Sequence, residues 1–293
     1  MTGRLISVGS VVVDVLGAVP ELPGRGADVW ASRTALNAGG GFNAMAAAAR
    51  QGVPVLYAGA HGTGPLGDLA RAALRAEGIA VRLAPRADLD TGLVIVLVDD
   101  GGERTFVSGR GAETTLGPAD VDDLRPEPGD IVLVSGYGLD DPLADWVSAL
   151  PASVVVALDP GPLARPGPLA RVRPRVDWVS ADAAEAERLT GSIDPVAAAA
   201  ALVGRAGAVV RTGAEGCVLA VAGADPQLVP VEAVEAVDTT GAGDTHVGVF
   251  LAALLQGSTP EAAARRANTA AADSVTRPGP ATAPRAQRPG APC

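Results

Sequence analysis

The residues best suited to chemistry lie between Val237 and Phe250, where the chain reads Val-Asp-Thr-Thr-Gly-Ala-Gly-Asp-Thr-His-Val-Gly-Val-Phe. Polar residues precede a turn at 241–243 that carries almost no side chain, and Asp244 follows it. The next apolar residues recur at i, i+3, i+4 and i+7, at Val247, Phe250, Leu251 and Leu254. This spacing predicts an amphipathic helix that ends near Gly257, with Asp244 in its first turn.

The start of a helix offers unpaired backbone N–H groups and a partial positive charge, and glycines let an anion approach them closely. Gly241, Ala242 and Gly243 are therefore candidates for an anion hole. A bound phosphate would repel the carboxylate of Asp244 unless that carboxylate accepted a proton from an incoming hydroxyl, as phosphoryl transfer requires. The alternative is that Asp244 only interacts with the helix dipole and the glycines only form a tight turn.

A second glycine-rich stretch, Ala38-Gly-Gly-Gly-Phe-Asn43, precedes an alanine-rich helix predicted over 44–51. Gly40 and Gly41 permit close contact between backbone and ligand, and Asn43 can donate and accept hydrogen bonds, which suits a polyol. Asn43 could equally be the N-cap of the helix. Asp14 lies in a run of valines. It is either an outward-facing strand residue or a carboxylate at a strand end that binds substrate hydroxyls.

The two stretches, 38–43 and 238–244, resemble in this order the N-terminal and C-terminal signatures of the ribokinase-like (PfkB) sugar and nucleoside kinases. The resemblance implies an ATP-dependent kinase with Asp244 as general base and the backbone amides of 241–244 as anion hole. It also implies that Asp14, Gly40, Gly41 and Asn43 bind the acceptor. The phosphorylated molecule would be a small sugar.

The same resemblance implies further ligands along the C-terminal half. It places ATP beside Thr212, Gly213, Gly216 and Asn268. Glu185 would hold Mg²⁺ through water, which agrees with the preference of that ion for retained waters and few carboxylates. Here Asp182 stands where the family has an asparagine, so the resemblance supports the magnesium site less directly.

The resemblance also implies that Asp238 and Thr240 can contribute to a site for a monovalent cation such as K⁺.

Two stretches directly follow predicted strands, where open α/β sheets bind ligands: Ser135-Gly136-Tyr137 and Asp159-Pro160-Gly161. Each could be only a turn.

Short apolar runs at 131–134, 154–158, 176–180 and 208–211 are separated by helical or proline-rich segments. They predict a doubly wound α/β fold, with a mostly parallel central sheet and helices on both faces. Runs 93–98 and 103–108 flank Asp-Asp-Gly-Gly, which indicates a β-hairpin. The resemblance makes this hairpin part of a small β-sheet lid, through which related proteins pair into homodimers.

The predicted organisation therefore has three parts. The main nucleotide- and substrate-binding domain comprises 1–10, 36–90 and 109–284. The lid comprises 11–35 and 91–108. Residues 285–293 are rich in proline, glycine and arginine and are predicted to form a disordered tail.

Composition limits the partners. A formal net charge of −10 over 293 residues disfavours nucleic acid and anionic membrane surfaces, so a small molecule is expected. The chain has no lysine, which excludes a Walker-type phosphate loop. Two cysteines are too few for a disulfide framework, and no apolar run reaches the ~18 residues of a membrane span. A cytoplasmic protein is expected.

Three alternatives stay open at this point. A nucleoside kinase of the same fold is one, although an aromatic content of 3% favours sugars over bases that need aromatic walls. A non-catalytic sugar- or nucleotide-binding protein is another. A nicotinamide oxidoreductase rests only on Gly62-Thr-Gly-Pro-Leu-Gly67, which precedes a helix predicted over 68–77. We interpret it as a structural turn because Pro65 lacks an N–H. His61 and His246 are expected to pack, without a triad or metal role.

Overall fold

The computed structural model describes residues 3–162 and 165–286. The strands are β1 (Leu5–Ser7), β2 (Val11–Ala18), β3 (Arg33–Gly40), β4 (Val55–Tyr57), β5 (Ala80–Val81), β6 (Leu93–Val98), β7 (Arg104–Ser108), β8 (Ile131–Ser135), β9 (Val155–Asp159), β10 (Trp178–Asp182), β11 (Gly207–Arg211), β12 (Cys217–Val221) and β13 (Gln227–Val229). The helices are α1 (Gly41–Arg50), α2 (Pro65–Ala76), α3 (Pro118–Val121), α4 (Asp141–Ser148), α5 (Pro166–Val172), α6 (Ala183–Thr190), α7 (Pro195–Leu202), α8 (Ala242–Leu255) and α9 (Pro260–Ser274).

The large sheet has the order β13-β12-β11-β10-β9-β8-β1-β4-β5. Its pairings are parallel from β11 to β5, and β12 and β13 are added antiparallel at one edge. Helices cover both faces, so adjacent strand residues enter different cores: Leu5 packs with Met45 and Phe250, whereas Ile6 packs in the opposite layer. This confirms the predicted doubly wound, mostly parallel architecture.

The small sheet has the order β3-β2-β6-β7. Strands β6 and β7 form the predicted hairpin, and β2 joins it in parallel while pairing antiparallel with β3. Strand β3 continues to Gly40 and passes directly into α1, so the sheet extends beyond residue 35, where the lid was predicted to end. Leu36, Ile95, Phe106 and Val107 expose apolar side chains on this sheet. Homodimerisation through the lid stays a prediction.

Two helices begin earlier than the sequence pattern predicts. Helix α1 begins at Gly41 instead of Ala44, because Gly40 adopts φ 61° and acts as the N-cap. Asn43 is therefore the third helical residue, and its interpretation as the N-cap is wrong. Helix α2 begins at Pro65 instead of Asp68, since proline is tolerated in the first helical position.

The turn at 62–67 is structural, as predicted. The carboxylate of Asp90 accepts hydrogen bonds from the amides of Leu66 (3.2 Å) and Gly67 (2.7 Å) at the start of α2. A side chain of the protein therefore occupies the position that a pyrophosphate would take in a dinucleotide fold.

At the C-terminal end, Ala286 donates its amide to Arg50 O at 3.0 Å, and Arg285 pairs with Glu77 at 3.3 Å. The remainder of the predicted tail, 287–293, lies outside the described residues. Within the described ranges, no helix is both long and apolar enough to cross a membrane.

Candidate active site

The start of α8 is shaped by Gly241, which adopts φ 74° in the left-handed region that favours glycine. Among the described residues, no side chain caps this helix, and Ala242 donates its amide to Thr239 O at 3.3 Å. The next two residues, Gly243 and Asp244, complete the first turn. Their amides point along the axis of a 14-residue helix, which is the arrangement that attracts an anion.

Asp244 meets Asn43 across the junction of α8 with α1. The amide nitrogen of Asn43 donates to Asp244 Oδ2 at 3.2 Å. The two helices approach closely because α8 carries Gly248, where a Cβ atom would lie 2.1 Å from the carbonyl oxygen of Ala44. Burial raises the pKa of Asp244 to about 6, although the Asn43 hydrogen bond and the charge of Arg211 act in the opposite direction.

Asp14 lies in the middle of β2, opposite Asn37 of β3, and not at the strand end where it was predicted. Its carboxylate occupies the space above Gly39, where a Cβ atom would lie 2.1 Å from Oδ2. Burial raises the pKa of Asp14 to about 6, and its charge in turn contributes to the raised pKa of Asp244. The structure therefore brings Asp14, Asn43 and Asp244 together.

Gly40 and Gly41 are needed for the path of the backbone between β3 and α1. A Cβ atom on Gly40 would lie 2.8 Å from the carbonyl oxygen of Ser10, and the amide of Gly41 donates to the same oxygen at 2.8 Å. Glycine is required here because β3 turns sharply into α1 against β2. The amide of Gly41 is thus already paired within the protein.

A cavity of about 370 Å³ lies beside the start of α8, within the size range of small-molecule sites. Residues lining it include Asp182, Arg211, Gly213, Ala214, Gly216, Val231, Val234, Thr239, Ala242, Gly243, His246, Asn268, Ala272 and Val275. Three of the four residues predicted to bind ATP therefore line one cavity that reaches the proposed anion hole. The fourth, Thr212, is not part of its lining, and its hydroxyl is buried.

Asn268 and His246 form one wall of this cavity. Asn268 donates to Val229 O at 2.7 Å, and its Oδ1 lies 3.1 Å from His246 Nε2. Because an amide oxygen only accepts, Nε2 carries the proton. Burial, followed by the charge of Arg211, lowers the pKa of His246 to about 3, so the ring is neutral. Packing was predicted for His246; its position on the cavity wall was not.

Acidic side chains gather where β9 and β10 end and α6 begins. Asp182 and Glu185 cap α6 reciprocally: the amide of Glu185 donates to Asp182 Oδ1 at 2.7 Å, and that of Asp182 donates to Glu185 Oε2 at 2.9 Å. Burial raises the pKa of Asp159 to about 6 and also raises that of Glu185, to which the neighbouring Asp159 charge adds. The positive charge of Arg211 therefore does not offset the effect of burial on the pKa values of Asp159 and Glu185.

Two further side chains lie at this edge: Arg211, which was not selected from the sequence, and Tyr137, which belongs to the Ser135-Gly136-Tyr137 stretch predicted there. Arg211, at the end of β11, donates to Ser180 Oγ at 2.6 Å and lies 3.5 Å from Glu185 Oε2. Tyr137 packs over Gly161, and burial together with the charges of Asp159 and Asp244 raises its pKa to about 12. Their signal in the sequence is a position at the end of a buried strand, for Arg211, or shortly after one, for Tyr137.

The acidic cluster fits a hydrated Mg²⁺. Its donors are carboxylate oxygens, which this ion prefers, and Asp159 and Glu185 lack a full complement of positive neighbours. In the part of the chain that the structure describes, no three His, Cys, Asp or Glu side chains form a direct metal cage. Contact of Glu185 with Mg²⁺ through retained water stays a prediction.

The residues around Asp238 do not fit a monovalent cation. Asp238 Oδ1 accepts from Thr240 N at 2.9 Å and from Arg104 Nη2 at 3.0 Å, and Oδ2 accepts from Gly279 N at 2.9 Å. Arg104 also donates to Thr239 Oγ1 at 2.8 Å, so β7 of the small sheet is tied to the loop before α8. A guanidinium already balances the carboxylate.

Known proteins that are similar to this chain include carbohydrate kinases. A model of the pfkB family carbohydrate kinases matches residues 2–287. The chain is 31% identical over 265 residues to the uncharacterized sugar kinase YegV of Escherichia coli strain K12, covering 85% of this chain and 81% of that protein. It is also 31% identical over 296 residues to an ATP-dependent ribose-1-phosphate kinase of Halopiger xanaduensis, covering 97% and 95%.

Among solved structures, Arabidopsis thaliana ribokinase complexed with ribose and ATP superposes with a TM-score of 0.80 at 26% identity, covering 97% of this chain and 96% of that one. Similarity in sequence and in fold therefore extends over nearly the whole chain.

Proposed function

The chain belongs to the pfkB family of carbohydrate kinases, and from this premise we propose that it transfers the γ-phosphoryl group of ATP to a hydroxyl of a small sugar. One observation carries the proposal: Asp244 lies in the first turn of an uncapped helix, beside both Asn43 and a cavity suited to a nucleotide. A base, an acceptor site and an anion hole thus share one location.

In the proposed step, the acceptor hydroxyl oxygen attacks the γ-phosphorus of ATP. A new oxygen–phosphorus bond forms, the bond from the γ-phosphorus to the bridging oxygen of the β-phosphate breaks, and ADP leaves. The hydroxyl proton passes to the carboxylate of Asp244. A pKa of about 6 suits this task, because the group is mostly ionised at neutral pH yet basic enough to take a proton.

The remaining residues orient and stabilise the reactants. Asn43 holds Asp244 by donating to Oδ2, and the Asp14 carboxylate, held over Gly39, accepts hydrogen bonds from other sugar hydroxyls. The amides at the start of α8, contributed by 241–244, stabilise the charge of the transferring group. The small sheet excludes water, which suppresses hydrolysis of ATP.

The nucleotide would occupy the cavity lined by Gly213, Gly216 and Asn268. Because the amide of Asn268 is already paired with Val229 and His246, its contribution is to fix the wall that receives the base. Glu185 and its acidic neighbours would hold Mg²⁺ through water. When bound, that ion neutralises charge on the donor phosphates.

The proposal is tested with purified protein, ATP and Mg²⁺ against separate panels of sugars and nucleosides. ADP formation is followed continuously, and the phosphorylated product is identified by mass spectrometry. A sugar phosphate should appear, and Asp244→Asn should lower kcat about 10²–10⁴-fold, the usual contribution of a general base. Asp68→Asn, an exposed acid in the first turn of α2, is the matched control and should retain activity.

Three outcomes would each contradict a different part of the proposal: the acceptor class, the kinase activity or the base. If nucleosides but not sugars are phosphorylated, the acceptor class is wrong. If neither class is turned over while sugars still bind, the protein is a binding protein and the kinase proposal fails. An Asp244→Asn variant with near-normal kcat would refute the assignment of the base alone.

A further inference from the structure

A second cavity, of about 450 Å³, lies over β9 and β10, between α5, α6 and α7. Helix α5 packs against α4, and α6 packs against α7, which leaves space between the two pairs. Among the described residues, none lines both this cavity and the one beside the start of α8. Its volume is within the range of small-molecule sites, and the proposed kinase step does not use it.

The floor of this second cavity is apolar. Leu158 of β9 and Val179 of β10 are neighbours in the sheet, and Leu202 of α7 belongs to the same core. Leu169 of α5 and Leu189 of α6 also line the cavity. None of these five side chains can form a hydrogen bond, so a sugar or nucleotide would bury its hydroxyl groups against them without partners, which is costly.

Two arginines give the second cavity its charge, Arg173 and Arg188. Within the described ranges neither forms an ion pair, and the rest of the chain contains no aspartate or glutamate. The hydrogen bonds that the structure describes for Arg173 run from Nη2 to Ala201 O and Val203 O, at 3.1 Å each. Arg188 donates from Nη2 to Gly161 O at 2.8 Å. In the described part of the chain, both guanidiniums therefore keep N–H groups for a further acceptor.

Arg175, two positions after Arg173, shows what a fully paired arginine looks like in this protein. Its guanidinium donates to Asp177 Oδ2 at 2.9 Å and to three carbonyl oxygens, so all three of its nitrogens have partners. Arg173 is half-buried, and burial lowers its pKa. Arg188 is exposed, so an anion can approach it from solvent. In a chain with 33 acids and 23 bases, two arginines without an acid beside one apolar cavity indicate an anionic ligand.

We propose that the second cavity binds a small organic acid with an apolar body. The carboxylate accepts hydrogen bonds from Arg173 and Arg188, and the body packs against Leu158, Val179 and Leu202. A planar guanidinium matches the two oxygens of a carboxylate, and burial of hydrocarbon adds affinity. This inference does not depend on the proposed kinase function.

The test compares three probes with the same hydrocarbon chain: hexanoate, neutral 1-hexanol and cationic hexylammonium. Their dissociation constants are measured by calorimetry with the full chain. Wild type should bind hexanoate about 10-fold more tightly than 1-hexanol, as for hydrogen bonds to a charged group, and hexylammonium most weakly. Saturating ADP should not displace hexanoate, because the described residues that line the two cavities are different.

Substitutions separate the charge of the second cavity from its shape. Arg173→Gln should weaken hexanoate binding about 10-fold and leave 1-hexanol binding unchanged. Arg188→Gln removes a more exposed charge and should weaken hexanoate binding about threefold. The double variant should lose the preference for the acid over the alcohol. Ala170→Phe places a ring in the cavity and should weaken the binding of both probes.

Arg171→Gln is the matched control for the loss of an arginine. Arg171 also lies on α5, pairs with Asp141 at 3.3 Å and with Asp145 at 3.0 Å, and does not line the cavity. This variant should bind hexanoate and 1-hexanol as wild type does. A change in the ratio of the two affinities therefore reports charge in the cavity, which a general loss of stability does not alter.

Thermal melts establish that each variant is folded. If Arg173→Gln does not fold, because the end of α7 loses two hydrogen bonds, Arg188→Gln and Ala170→Phe carry the test. The inference is overturned if wild type binds hexanoate no better than 1-hexanol, or if ADP displaces hexanoate. It is also overturned if Arg188→Gln and Ala170→Phe both keep the wild-type affinity for hexanoate. None of these results affects the kinase proposal.

Discussion

Helices α1 and α8 begin in the same way and differ in one side chain. Each follows a glycine with positive φ, 61° at Gly40 and 74° at Gly241, and in the part of the chain that the structure describes neither has a side-chain cap. The third residue of α1 is Asn43, the third residue of α8 is Asp244, and these two side chains hydrogen-bond to each other at 3.2 Å. An amide on one helix start thus faces a carboxylate on the other.

The difference between Asn43 and Asp244 supports the role proposed for each side chain. Two carboxylates at this distance would share a proton, because both could not ionise together. An amide opposite a carboxylate stabilises its ionised form and fixes its orientation, so in the proposed mechanism one helix start supplies the base and the other positions it. Two charged side chains also affect the pKa of Asp244: the positive charge of Arg211 lowers it, and the negative charge of Asp14 raises it.

Among the single substitutions that test this comparison, the largest effect is expected from removing the side-chain amide of Asn43. Asn43→Ala should lower kcat/KM about 10–100-fold, because Asp244 loses the hydrogen bond that orients it. The pKa of Asp244 should rise, since that bond favours the ionised form, and the acidic limb of the pH–rate profile should move to higher pH. In the double variant with Asp244→Asn, loss of Asn43 should cost little more. Fully additive losses would contradict the coupling.

The close approach of the two helices is tested at Gly248. Gly248→Ala places a Cβ atom 2.1 Å from Ala44 O, so α1 and α8 must separate. We expect the free energy of unfolding to fall by about 1–3 kcal/mol, as for overpacked cores, measured by urea denaturation. Gly167→Ala in α5 is the control, because no atom of the described residues lies within 4 Å of the added Cβ. Similar stability of both variants would show that the helices can adapt.

The raised pKa of Asp244 predicts a specific pH dependence. A base works in its ionised form, and with a pKa of about 6 the ionised fraction increases roughly tenfold between pH 5 and pH 7. We expect kcat/KM to follow this increase, with half of the maximum near pH 6. A profile that is flat from pH 5 to 7 would show that Asp244 keeps the pKa of an ordinary aspartate.

The smallest effect is expected from the contact between β7 of the small sheet and the loop before α8. Arg104→Gln removes the guanidinium that bridges Asp238 and Thr239, and kcat/KM should fall several-fold, as for loss of one partly buried ion pair. Because Asp238 then lacks a counter-charge, K⁺ should restore activity in this variant and leave wild type unaffected. Activation of wild type by K⁺ would show that a cation binds despite Arg104.

Local sequence patterns were sufficient for the fold. Buried strands such as Ile131–Ser135 are continuous apolar runs, and the hairpin of β6 and β7 has an Asp/Gly turn between β-prone segments. The same patterns misplaced the start of α1, since glycine carries no helical signal although Gly41 is helical.

Arg211 could not be selected from the sequence, for a different reason. Its significance depends on Ser180 and Glu185, which are 31 and 26 positions away, and on a cavity wall built by α8 and α9. Asp14 illustrates the same limit. The valine run predicted a strand, but the space that Gly39 leaves for the carboxylate appears only when β2 and β3 are paired.

Asn43 and Asp244 are 201 positions apart along the chain. During synthesis Asn43 and the small sheet leave the ribosome first, and Asp244 is added only near the end. In the proposed mechanism, a copy that terminates before residue 237 has part of the sugar site but neither the base nor the start of α8, so it cannot consume ATP.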